Sequence, residues 1–137
     1  MTAEEYLEQI EKLDALIKNK LIEVERWRDV AFSITAQVSG ERVQTSGNQQ
    51  KMAGAIAKYI DIEKEIDAAI DRLVDLRNEV VATIEQLEKD EYEVLYILYV
   101  QGLTLTDVAE KMNYSYSWAA QTRKKALLNV QKIIDKR

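Results

Sequence analysis

A chain of 137 residues with 24 acidic and 19 basic side chains, a net charge of −5 and neither histidine nor cysteine can bury a core but cannot hold two ordinary domains. It lacks the usual general base, thiolate nucleophile and soft metal ligands. Chemistry would fall to carboxylates, lysines and hydroxyls, so an enzyme is not the expected class and no cofactor is expected. Proline is absent and glycine occurs only at Gly40, Gly47, Gly54 and Gly102; breakers this scarce predict an all-α fold.

The acidic start, residues 1–11, has neither the basic residues nor the apolar run of a signal peptide, and no stretch approaches eighteen uninterrupted apolar residues. A cytoplasmic protein without membrane contact is expected. Tyr6, Ile10, Leu13, Ile17, Lys20, Val24, Trp27, Ala31, Ile34 and Val38 alternate steps of four and three, with Lys20 alone not apolar. That spacing predicts one amphipathic helix over about residues 2–38, roughly 55 Å long at 1.5 Å per residue. "SGERVQTSGNQQ" then reads as a connection, with Ser46 and Gln49 in the spacing of a capping box.

A second long helix is expected over roughly residues 49–87. Two seams run through it. One, through 59, 63, 66, 70, 73, 77 and 80, meets Glu63 and Arg77; the other, through 59, 62, 66, 69, 73, 76 and 80, meets no charge. The apolar stripe is broader than a two-helix seam needs, so part of it is expected to pack on the C-terminal module or on a second copy of the chain, a homodimer. In an antiparallel hairpin turning near Thr45, positions summing to about 90 face each other. Arg77 then approaches Glu11 and Asp14, and Glu63 approaches Arg26 and Arg28, either fixing register or standing as solvated flanking charges. The acidic faces (Asp61, Glu63, Glu65, Asp67, Asp71, Asp75) lack the Glu-x-x-His spacing of a di-metal bundle, so no metal site is expected.

Beyond Leu87 the pieces shorten. "DEYEVLYILYVQG" predicts a helix opened by Asp90 and Glu93 as a capping box and stopped at Gly102. "TLTDVAEKMN" predicts a short helix capped by Thr104, with Asp107 at its third position and Asn113 at the left-handed end. Ser115 is then the N-cap of a last helix. Residues 113–137 hold six basic residues and one acid, a net of +5, whereas residues 1–112 hold 13 and 23, a net of −10. A basic segment on an acidic body suits phosphate binding, and it equally suits the C-terminal end of a helix dipole.

Helix, glycine, capped short helix, tight turn and basic helix is the pattern of a helix-turn-helix. Ala109 is small where the two helices should cross, Val108 and Met112 should face inward, and Tyr114 should pack beneath the turn. "EYEVLYILYVQGLTLTDVAEKMNYSYSWAAQTRKKAL" resembles region 4 of the sigma-70 type of RNA polymerase factors, through E-x-x-V-L-x-x-x-Y-V-x-G-L-[ST]-L, V-A-E-x-M and Q-x-x-x-K-A-L. Over its whole length the chain also resembles a family of small helical phage and prophage proteins of Gram-positive bacteria. That family, a domain of unknown function, lies near the RinA and ArpU type of late transcription regulators. The likeness is carried by "MTAEEYLEQIEKLDALI", "SGERVQTSGNQQKM", "KYIDIEKEID" and "MNYSYSWAAQTRKKAL".

The resemblance implies a sequence-specific regulator of double-stranded DNA in a bacterial host cell, of the phage late-gene type, with RNA polymerase as a possible partner. It does not imply a complete sigma factor. Residues 1–88 would be a dimerisation or docking arm and 89–137 the DNA-binding module. By position, Tyr116, Ser117 and Gln121 would face base edges, an amide being suited to adenine. Thr104, Arg123, Lys124 and Lys125 would hold phosphates, and Trp118 would touch the DNA backbone, the core or a partner. The chain departs from region 4 at Tyr116 and Ser117, where an arginine and a glutamate are usual, and at Ala119 and Thr122, where branched aliphatics are usual. A packaging component, such as a small-terminase-like DNA-binding subunit, is the alternative from another class.

Overall fold

The computed structural model describes residues 1–40 and 46–137, apart from the side chains of residues 34–40, 46 and 48. Of the expected connection, residues 41–45 and the capping hydroxyl of Ser46 lie outside the described residues, whereas residues 46–50 already belong to the second long helix. The fold is all-helical, with no strand among the described residues. Five α-helices follow in chain order: α1 (Ala3–Gly40), α2 (Ser46–Ile84), α3 (Lys89–Leu95), α4 (Leu105–Met112) and α5 (Tyr116–Asp135). The long helices follow from the 3.6-residue period of their apolar positions. Thr2 opens α1, its hydroxyl accepting from the Glu5 N–H at 3.1 Å, and Glu4 and Glu5 place negative charge in the first turn, where the helix dipole favours it.

By their contacts the residues form two units, Met1–Asp14 with Arg72–Arg137, and Ala15–Asp71. This grouping differs from a division at residue 88. The first turns of α1 and the end of α2 pack with the short helices because those helices offer too little apolar bulk to one another. In that unit Tyr6, Leu7, Ile10, Val80 and Ile84 share a core with Leu95, Val100, Ala126 and Val130. Full burial of a large aliphatic side chain contributes about 1.5–3 kcal/mol, and Leu7, Val80, Ile84 and Leu95 are all fully buried. A second cluster joins Val94, Ile97, Val108 and Ala119, with Leu98, Leu103, Leu105, Met112 and Trp118 around it.

The Ala15–Asp71 unit has a smaller core, Val24 with Ile62 and Ile66, flanked by Trp27 and Tyr59. Lys20, the one charged position in the α1 seam, donates to Glu65 at 2.7 Å, and Arg28 donates to the Tyr59 hydroxyl at 2.9 Å. From the first pair to the second the chain advances along α1 and retreats along α2. Glu63 lies within electrostatic reach of Arg28, while in the other unit Arg77 donates to the Val100 carbonyl at 3.4 Å. The Lys20–Glu65 pair is too solvated to contribute much stability, the Glu65 side chain being 55% exposed.

The start of α3 differs from expectation. Glu88 is the N-cap, without a side-chain hydrogen bond, so Asp90 and Glu93 do not form a capping box. Leu87 packs on the first core and sets the chain into the helix two residues early, leaving Asp90 and Glu91 in the first turn as dipole-compensating acids. Glu91 is then buried, and its carboxylate accepts from the Asn129 amide of α5. After Leu95 the chain widens into a π-helical turn, Tyr96–Val100, whose Tyr96 carbonyl accepts from Gln101 N–H at 2.9 Å. Five residues apart, Leu95 and Val100 would lie about 140° apart on an α-helix; the wider turn brings both to the first core. Gly102, at φ 72°, ends the turn where it was expected.

Leu7→Ala and Ile84→Ala should each cost about 2–5 kcal/mol in urea unfolding, whereas Ile22→Ala, at a side chain 69% exposed, should stay within about 0.5 kcal/mol. Residues 89–137 alone should show no cooperative transition. Asn129→Ala, which strips the donor from a buried carboxylate, should cost about 1–3 kcal/mol in the same measurement.

Candidate nucleic-acid interface

The segment from Thr104 to α5 is built by local chemistry. Thr104 Oγ1 accepts from the Asp107 N–H at 3.2 Å, and an Asp107 carboxylate oxygen accepts from the Thr104 N–H and hydroxyl, each at 2.9 Å. Those bonds hold the Asp107 carboxyl below its ordinary range, the Thr104 N–H acting most strongly. Asn113 closes α4 in the left-handed conformation, φ 58° and ψ 41°, which an Asn tolerates because its short amide bonds locally. The Tyr114 N–H reaches back to the Ala109 carbonyl at 3.0 Å. Ser115 then caps α5, its hydroxyl accepting from the Trp118 N–H at 3.1 Å.

Val108 is fully buried and Met112 packs on the second core, as their spacing predicts, whereas Ala109 is only half-buried. Tyr114 does not lie beneath the turn. It is 51% exposed and stacks on Trp118, ring centroids 4.0 Å apart and planes 17° from parallel. Trp118 packs with its other surroundings against the second core. Beside Ala119, where a larger residue would fill space, the indole supplies the missing bulk, and its hydrophobic area favours that place over open solvent.

Along α5 the buried residues are Ala119, Ala126 and Val130. On the opposite side Ser117, Gln121, Lys124 and Leu128 stand at steps of four, three and four, a single stripe of a 3.6-residue helix, and all four are exposed. Lys125 is exposed beside Gln121. Tyr116, 57% exposed, lies five positions before Gln121 and therefore about 140° round the helix from it. The structure thus gathers Ser117, Gln121, Lys124 and Lys125, and sets Tyr116 to one side.

Two expected phosphate contacts are engaged within the protein. Thr104 gives its hydroxyl proton to Asp107, so its helix N-terminus already carries a carboxylate. Arg123 donates from Nη2 to Glu4 at 2.8 Å and to the Tyr99 hydroxyl at 3.0 Å, and from Nε to the same hydroxyl at 3.2 Å. Burial pushes the Tyr99 phenol up, against the opposing pull of Arg123. Glu4 and Tyr99 were not legible as partners: an acid in a first helical turn and a tyrosine in an apolar run carry no mark of a residue more than 100 positions, or about 24, away. Among the described residues no group of carboxylates is placed to hold a metal ion, and no helix is long and apolar enough to cross a membrane.

The chain matches no protein-family model, no curated protein and no solved structure.

Because the folded Asp107 carboxyl titrates below the unfolded value near 3.8, its bonds stabilise α4 fully above about pH 4 and are lost as pH falls through the lowered folded value. Thermal melts from pH 7 to pH 2.5 should show this acid-side loss, and Asp107→Asn should reduce stability at pH 7 while flattening the acid limb.

Proposed function

We propose that the protein is a sequence-specific double-stranded DNA-binding transcriptional regulator, with a helix-turn-helix formed by α4, the 113–115 turn and α5. The observation that carries the reading is the exposed Ser117–Gln121–Lys124–Lys125 stripe, which begins just after a capped, left-handed turn and stands opposite the buried alanines of the same helix. A helix presented this way can enter a major groove with its first two turns against base edges. Gln121 offers an amide that can pair bidentately with adenine, and Ser117 a hydroxyl that reads either donors or acceptors. Lys124 and Lys125 supply phosphate neutralisation.

The region 4-like pattern supports the same reading and suggests a regulator of the phage late-gene type, with RNA polymerase as a partner. An antiparallel hairpin of α1 and α2 would serve as the arm. Its Ala15–Asp71 part leaves Ile22, Phe32 and Leu21 69%, 67% and 48% exposed, which favours association between copies, since large apolar side chains gain from mutual burial. Light scattering should then give the mass of a dimer; a ring of many subunits would favour the packaging reading instead.

A randomised-duplex selection should enrich a motif. Gln121→Ala should lose preference at one base pair, at about 1–3 kcal/mol, whereas Lys124→Ala should weaken all sequences alike and lower the salt slope by about one. No enriched motif, together with unchanged binding by Gln121→Ala, would sink the specific-reader claim.

A further inference from the structure

We propose that Arg123 is a positioning residue that sets α5 for reading DNA rather than a phosphate contact, and that the first turn of α1, through Glu4, is part of the reading unit. This rests on the DNA-binding reading given above. Arg123 stands four residues after Ala119 and three before Ala126, in the row of α5 that is buried. At about 100° per residue it points some 160° from Gln121. A phosphate beside the groove-facing stripe would therefore be met from the wrong side of the helix.

Its guanidinium is held from two directions. The Tyr99 hydroxyl, on the π-helical turn, accepts from Nε and Nη2, and the Glu4 carboxylate, on α1, accepts from Nη2 at 2.8 Å. A planar fork can serve both partners at once with little further loss of freedom; an ammonium on a flexible stem cannot reproduce that geometry. Eight residues along, two turns of helix, Gln131 accepts from the Ala3 N–H at 2.7 Å. The start of α1 is thus fastened to α5 at two points about 80° apart round the helix, which fixes both the axial position and the rotation of α5, and the Arg123 point lies across the helix from Gln121.

The chemistry separates this role from a phosphate contact. A phosphate ligand contributes counterion release, so its loss lowers the salt slope, and Lys replaces Arg with much of the affinity kept. A fork that sets helix rotation contributes to base discrimination and leaves the slope alone. Glu4 also carries the sign information: if it were a stand-in for phosphate, removing its charge would free Arg123 for DNA.

The experiment compares Glu4→Gln, Tyr99→Phe and Arg123→Lys with wild type. Binding to the selected duplex and to a random duplex of equal length is measured across a salt series, and amide hydrogen exchange in α5 is followed without DNA. The expected result is a loss of selected-over-random preference of about fivefold in each variant, the scale of one hydrogen bond, with an unchanged salt slope and faster exchange in the first turns of α5. Tighter binding by Glu4→Gln with a slope steeper by about one would overturn the proposal and make Arg123 a phosphate ligand held back by Glu4. If wild type binds no duplex, the DNA reading fails by itself, and exchange decides the strut: α5 protection unchanged in all three variants overturns it too.

Discussion

The arrangement depends on the small side chains of α5. Ala119 and Ala126 are fully buried yet fill little space, and protein interiors tolerate few voids larger than a water molecule. Bulk must come from neighbours. The core that includes Ala126 takes it from Tyr6, Leu7 and Ile10 of α1 and from Val80 and Ile84 of α2. At Ala119 it comes from Trp118 and from Leu98, Leu103, Leu105 and Met112. The alanines let the helix axes approach, and that approach brings Glu4 to Arg123 and the Ala3 N–H to Gln131. The same packing makes the ends of the two long helices parts of one core with the short ones.

The π-helical turn answers a related problem. "VLYILYV" carries apolar side chains at almost every position, and a plain α-helix would spread them around its circumference. Val94 and Ile97 serve the second core, while Leu95 and Val100 serve the first. One widened turn lets a single short segment wall both cores and also sets Tyr99 where its hydroxyl meets Arg123. Such turns cost some hydrogen-bond geometry, and here burial of Leu95 and Val100 on one core offsets it.

What the sequence made legible was local. The helical period set the two long helices to within a few residues, and the caps at Thr104, Asn113 and Ser115 were readable because each side chain bonds a backbone group within three or so positions. The buried face of α5, Ala119 with Ala126 and Val130, has the steps of seven and four that one face of a helix requires. Asp90 and Glu93 had the same local spacing and did not cap, because Leu87 is drawn into the core and starts the helix earlier. The π turn, the Trp118 stack and the fates of Arg123 and Glu91 were not legible, since each is fixed by packing between segments distant in sequence.

That difference alters how the charge of the C-terminal segment should be read. Six basic residues lie between 113 and 137, but Arg123 is bound to Glu4 and Tyr99, and Arg137 donates to Thr83 at 2.6 Å and to Tyr6 at 3.3 Å. Both arginines thus serve internal hydrogen-bond networks, as their multi-donor forks suit. Lys124, Lys125, Lys132 and Lys136 are the exposed lysines of the segment, and Arg137, also exposed, is engaged by Thr83 and Tyr6. Lysines meet phosphate as mobile point charges and carry little base information. On the DNA-binding reading, guanine recognition by a bidentate arginine has no candidate on the exposed stripe of α5, so discrimination falls to the amide of Gln121 and the hydroxyl of Ser117. On that reading both would meet base edges at a fixed distance from the helix axis, and a rotation of α5 by a few tens of degrees would carry them away from the bases. On that reading a helix with so few specific groups needs to be held firmly from behind, where the buried alanines and the Arg123 fork act, while the Gln131 bond to the Ala3 N–H fastens it from the flank.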